Sequence, residues 1–198
     1  MGKPNKKTLA KKTLAEGHVL PWDNALTFLL AGHCVVTLDE VVSADRSTYH
    51  IEQAVDDVRG ADGKITKVKR QRWFVSLLTG SDNERSYRYL GTIDAKFGAQ
   101  GFRTTKPVQA SADSINRIGD VVRWLVAGCD NSHKIRVWHR GLCGQCGATL
   151  SVPSSIATGL GPICAANQGV AMKDVTPDAI TKLGALAPAI EPEHVNEG

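Results

Sequence analysis

The chain has 198 residues, 42% hydrophobic and 22% charged, with a formal net charge of +4. This length supports one substantial core, with or without a small satellite module, and the composition is that of an ordinary globular chain. No apolar run reaches the ~18 residues of a membrane span, and the basic N-terminus has no apolar segment of the secretory-signal kind.

A cytoplasmic location without membrane partners is therefore expected. The five cysteines are odd in number, which argues against a disulfide framework and for a reducing compartment. Cys34 and Cys129 each stand beside apolar residues and are expected as small buried hydrophobes.

Residues 1–20 read as a basic arm. Lys3, Lys6, Lys7, Lys11 and Lys12 face only Glu16 as an acid. Such an arm can lay Lys6, Lys7, Lys11 and Lys12 along phosphates, or act only as a solubilising tail. An α+β domain is expected over 21–132. Pro21-Trp22-Asp23 opens a short helix with Ala25, Phe28 and Leu29 on one face, ended by Gly32. Strands are expected over residues 33–42 and 47–55, joined at Ala44-Asp45-Arg46.

Asp62-Gly63 marks a turn, and Lys64, Lys67, Lys69, Arg70 and Arg72 follow within one short basic segment. As a strand, this segment would place Lys67 and Lys69 on one face, where they could meet phosphates or merely be solvated. Residues 72–78, with Trp73, Phe74, Val75, Leu77 and Leu78, are apolar on both faces and predict a central strand. Its partner covers 86–93, and a further short strand is expected within 96–104. Tyr87, Tyr89 and Phe102 form either a base-stacking platform beside Arg85, Arg88 and Arg103 or ordinary cross-strand pairs. The clearest helix covers 111–127. Ile115, Ile118, Val122, Leu125 and Val126 make its apolar stripe, Ser111 or Ser114 caps it, and Gly128 follows its end.

A zinc-binding module is expected over 133–170. His139, Cys143, Cys146 and Cys164 have the spacing H-x3-C-x2-C-x17-C, which suits a tetrahedral metal site. Gly144 and Gly147 permit the tight turn between the first two cysteines. Cys164 follows Gly161-Pro162, where a helix can begin and its dipole favours a thiolate. Knuckle, connection and ligand at a helix start make a treble-clef-like layout. Position 167, where a second helical ligand would fall, is Asn167. His139 is therefore the expected fourth ligand, with water or another donor as the alternative. Neither an H-E-x-x-H motif nor a deaminase pair of motifs is present, and no carboxylate lies between His139 and Cys164.

The segment from Trp138 through Cys143-Gly144-Gln145-Cys146-Gly147, Pro153 and Ile156 to Gly159-Leu160-Gly161-Pro162-Ile163-Cys164 resembles a domain family of unknown function that recurs in bacteriophage and prophage proteins. Softer resemblance extends upstream through residues 28–32 and 73–91. It implies that His139, Cys143, Cys146 and Cys164 are ligands, and it implies no activity. A phage origin would make the host cytoplasm the location. Residues 171–198 read as a short helix starting at Thr176-Pro177, then an acidic tail.

The expected fold is thus α+β: a small, mostly antiparallel sheet with a packed helix, followed by the zinc module. The leading function is a zinc-stabilised, non-enzymatic accessory protein that binds DNA or RNA, with Lys64, Lys67, Lys69 and Arg70 as its second basic patch. A module acting on a host protein is the alternative. A zinc hydrolase is the remote one, and would need an open metal position and a carboxylate such as Asp82 or Glu84.

Overall fold

The computed structural model describes residues 18–94, 101–104 and 110–169. The arm lysines Lys6, Lys7, Lys11 and Lys12, the start of the strand expected at 96 and the helix expected at Thr176 lie outside the described residues.

The protein is mostly antiparallel sheet, accompanied by a few helices. In chain order the elements are β1 (His18–Leu20), α1 (Trp22–Leu29), β2 (His33–Glu40), β3 (Arg46–Arg59), β4 (Ile65–Leu78), β5 (Tyr87–Asp94), β6 (Phe102–Arg103), α2 (Ala112–Val126), β7 (Ile135–His139), α3 (Pro153–Thr158) and α4 (Pro162–Asn167). The sheet has seven strands in the order β1-β7-β2-β3-β4-β5-β6. It is open, with β1 and β6 at its edges, and each pairing is antiparallel. β7 inserts between β1 and β2, with Trp138 opposite both Val19 and Thr37. The strand that leads to the cysteines is therefore part of the main sheet.

Period-two alternation sends one set of side chains inward. Val36, Leu38, Tyr49, Ile51, Val75 and Val137 are fully or almost fully buried. They pack under α1 and α2 through Phe28, Leu29, Ile118, Val121, Val122 and Leu125. Each such side chain contributes about 1.5–3 kcal/mol when fully buried. Ser111 caps α2 by accepting a hydrogen bond from the Ser114 N–H at 3.2 Å. Arg117, outside the expected stripe, is also buried, with Nε 3.2 Å from Glu40 Oε1 and Nη1 2.5 Å from Ser47 Oγ. Val126, expected in the stripe, is 46% exposed.

β3 and β4 are longer than the sheet is deep. A register shift between Gln53 and Val55 marks the place where they leave it. Beyond Arg72 no third strand joins them among the described residues, where β5 pairs β4 over Arg72–Leu78. Among the described residues, 55–69 therefore form a two-stranded ribbon paired only with itself, closed at a turn where Gly63 has φ +77°. The basic segment and the central strand expected after it are one 14-residue strand.

Candidate metal centre

Three thiols converge at the end of β7. Cys143, Cys146 and Cys164 place their sulfur atoms within 4.8 Å of one another. The chain reaches this arrangement through two local structures.

The first is a tight hairpin. Gly141 takes φ +70° at the exit from β7. Leu142 and Thr149 then form an isolated antiparallel bridge. The Cys143 N–H donates to Ala148 O at 2.8 Å and the Gly147 N–H to Cys143 O at 2.9 Å. This folding back of Cys143–Ala148 puts both knuckle sulfurs on one side, with Cys143 buried and Cys146 exposed.

The second is a pair of short helices. α3 ends at Gly159, whose φ of +70° turns the chain back. Gly161 caps α4, Pro162 occupies its first turn, and Cys164 follows two residues later. The Gly161 N–H points at Cys143 Sγ, 3.4 Å away. A backbone bond from the Gly144 N–H to Gly159 O, 3.0 Å, ties hairpin and helices together.

The thiols share charge unequally. Burial alone would raise the Cys143 thiol, but backbone N–H groups of Gly161, Cys146 and Gln145, with the Cys146 thiol, hold it below the ordinary range. Cys164 is pushed up to about 12, by burial first and then by its sulfur neighbours. Three clustered thiolates repel one another unless a cation joins them, and they form a soft donor set of the kind that binds zinc, copper(I) or iron–sulfur centres. The residues present thus fit a metal ion. The apolar support is small: Ala31, Leu150, Leu160 and Ala165 are its buried members beside Cys143.

His139, expected as the fourth ligand, is not in this group. Its ring is 2% exposed, on the core face of β7. Nε2 is 2.9 Å from Ile156 O, to which it donates, and Nδ1 accepts the Gly141 N–H at 3.2 Å. Both ring nitrogens are thereby engaged by backbone. Burial, then the charge of His18, pushes its pKa down to about 4. The reason for the difference is strand alternation: the side chains before the knuckle are directed by the sheet, and His139 falls on the inward side.

Phe28 was not expected here. Its ring lies 5.4 Å from that of His139. A Cβ added at Gly144 or Gly159 would come within 2.8 Å or 2.3 Å of Phe28 Cδ2. The two glycines are thus the slot into which α1 inserts its aromatic side chain. The glycines themselves were the available signal, and their packing partner was not.

The other expected site residues divide. Lys64 is ion-paired to Asp62 at 3.6 Å, and Arg70 to Asp56 through Nε at 2.6 Å. Lys67 and Lys69 share one exposed face of the ribbon, as the period requires, and form no ion pair among the described residues. The aromatic trio splits. Tyr89 lies on the solvent face with Phe74, ring centroids 6.3 Å apart, whereas Phe102 packs against the core. Asp82 is engaged in its own turn, accepting the Glu84 N–H at 2.9 Å. Cys129, expected buried, is exposed, while Cys34 is buried and its thiol is raised by burial.

A largely antiparallel sheet protein whose last strand feeds a three-cysteine cluster able to hold a metal ion is the class that fold and site define. Residues 138–169, from Trp138 through α4, match a family of unknown function, DUF6011. Comparison with curated proteins and with solved structures finds no match.

Proposed function

We propose that this is a zinc-stabilised, non-enzymatic nucleic-acid-binding protein of phage type. The observation that carries the reading is the projecting β3–β4 ribbon, with Lys67 and Lys69 two residues apart on one face and in no ion pair among the described residues, although Asp57 stands opposite Lys67 in register. Two-stranded ribbons of this width enter DNA grooves, and unpaired lysines there release counterions from phosphates. The sheet's solvent face adds Phe74 and Tyr89, 42% and 41% exposed, as surfaces on which bases can stack.

In this reading Cys143, Cys146 and Cys164 hold Zn2+, and solvent or a small anion completes its shell. The metal supplies no chemistry beyond joining the knuckle to α4, which the few buried residues around the thiols do poorly alone. His139 acts as a positioning group that fixes Gly141 and the end of α3. The hydrolase alternative is disfavoured because the thiol group contains no carboxylate to serve as general base.

The test is fluorescence anisotropy with labelled single- and double-stranded DNA and RNA across a salt series. Lys67→Gln with Lys69→Gln should weaken binding at least tenfold and lower the log–log salt slope by roughly 1.5. Absence of binding at low salt, or an unchanged slope in the double variant, rejects the reading.

A protein partner is the second reading, favoured by the opposite face of the ribbon. Val58 and Val68 are diagonal neighbours there, 45% and 40% exposed. Val58→Ser with Val68→Ser would abolish partner capture without touching nucleic-acid affinity.

A further inference from the structure

The solvent face of the sheet also contains a recess whose lining includes neither residues of the ribbon nor the thiols. Register builds it. Trp138 of β7 is opposite Thr37 of β2, and Thr37 is opposite Thr48 of β3. The two threonine hydroxyls bond to each other at 2.8 Å and form the floor. Trp138 and Arg140 rise on one side, Tyr87 and Asn83 on the other, around a cavity of about 150 Å³.

Two residues that line this recess have unmet hydrogen-bonding capacity. Trp138 Nε1 and Tyr87 Oη are buried, and neither has a hydrogen-bond partner among the described residues. A buried donor without an acceptor is costly, so such pairs mark places where something else accepts. Indole N–H can only donate, and a guanidinium brings donors and fixed positive charge. No carboxylate lines the cavity. Burial raises the Tyr87 hydroxyl and the charge of Arg140 draws it back, which places that cation within electrostatic reach of the phenol. His50 stands behind, its ring 5.6 Å from that of Tyr87. The cavity is thus rich in donors, cationic and small. Its complement is a compact group that only accepts hydrogen bonds and carries negative charge.

We propose that this recess binds an oxyanion, the phosphate or carboxylate end of a ligand, with Trp138 Nε1 and Tyr87 Oη donating to its oxygens and Arg140 supplying the opposing charge. The site goes beyond the nucleic-acid reading, since it needs neither the ribbon nor the metal. If a nucleic-acid strand supplies the phosphate, the recess is where a terminal phosphate is received.

The test follows indole N–H resonances of the zinc-loaded full chain, with the Trp138 signal assigned by its loss in Trp138→Phe. Inorganic phosphate, acetate, and a short oligonucleotide with and without a 5′-phosphate are titrated separately. The expected result is a saturable downfield shift of the Trp138 N–H. It weakens at least tenfold in Arg140→Gln and severalfold in Tyr87→Phe, which removes one hydroxyl and leaves the ring packing intact. A shift with phosphate and the phosphorylated oligonucleotide assigns the source as phosphate; a shift with acetate alone assigns it as carboxylate. Lys67→Gln with Lys69→Gln should lose oligonucleotide affinity yet keep the response to inorganic phosphate, so the two proposals fail separately. No shift with any probe, or an unchanged response in both Arg140→Gln and Tyr87→Phe, overturns the site.

Discussion

His139 shows how one side chain is assigned by its surroundings rather than by its spacing from cysteines. Its neutral ring bridges Ile156 O and the Gly141 N–H, so protonation would put an unpaired charge in the core. The folded pKa, about 4, lies below the ordinary imidazole value of about 6.5. The unfolded chain therefore takes up the proton first. The stabilisation is complete above about pH 6.5 and is lost as pH falls towards 4, by ~3 kcal/mol at most. Urea melts at pH 7.5 and pH 5 in excess chelator, where metal loss plays no part, should show this fall. His139→Gln should flatten it, and it should leave the metal stoichiometry of the zinc-loaded protein unchanged. Loss of the metal in that variant would return His139 to the ligand set. The glycines around Phe28 offer a second residue-scale test. Gly159→Ala must strain a left-handed residue and drive a Cβ to 2.3 Å from the Phe28 ring, whereas at Gly147, φ +74°, nothing lies within 4 Å. Thermal melts should show Gly159→Ala costing about 3 kcal/mol or more and Gly147→Ala about 1 kcal/mol.

At the scale of elements, α2 and the ribbon illustrate what patterning conveys. The 3.6-residue period and Ser111 place α2 to within a residue or so of its bounds. They say nothing of Arg117, whose burial depends on a partner outside the helix. Glu40, on a strand distant in sequence, supplies that partner. Arg117→Ala should cost about 2–3 kcal/mol in a chemical melt, since Glu40 and Ser47 lose their donor. A cost below ~0.5 kcal/mol would make the pair incidental. The ribbon was legible as turn plus basic strand, and the period correctly paired Lys67 with Lys69. Its projection was not legible, because that depends on how far β5 follows β4, which among the described residues is to Arg72. Arg70→Gln, by contrast, should change stability by no more than ~0.5 kcal/mol, as its pair with Asp56 is exposed on both sides.

For the molecule as a whole, the metal stretch was the most readable part and the sheet around it the least. The cysteine spacing predicts the cluster because a C-x2-C turn and a helix start constrain geometry locally. Nothing local says that β7 will slot between β1 and β2, or that α1 will wedge Phe28 against Gly144 and Gly159. Those contacts join residues far apart in the chain, and they make the thiol cluster a clasp on the main sheet. Metal removal should therefore raise hydrogen exchange most in α3 and α4, relative to the metal-loaded protein.

The central claim is that three thiolates hold one metal ion. X-ray absorption at the zinc edge of protein reconstituted anaerobically tests it most directly. One zinc per chain, with three sulfur neighbours at about 2.3 Å and one lighter donor, is expected. A metal-free protein after reconstitution, or a shell with fewer than three sulfurs, would contradict it.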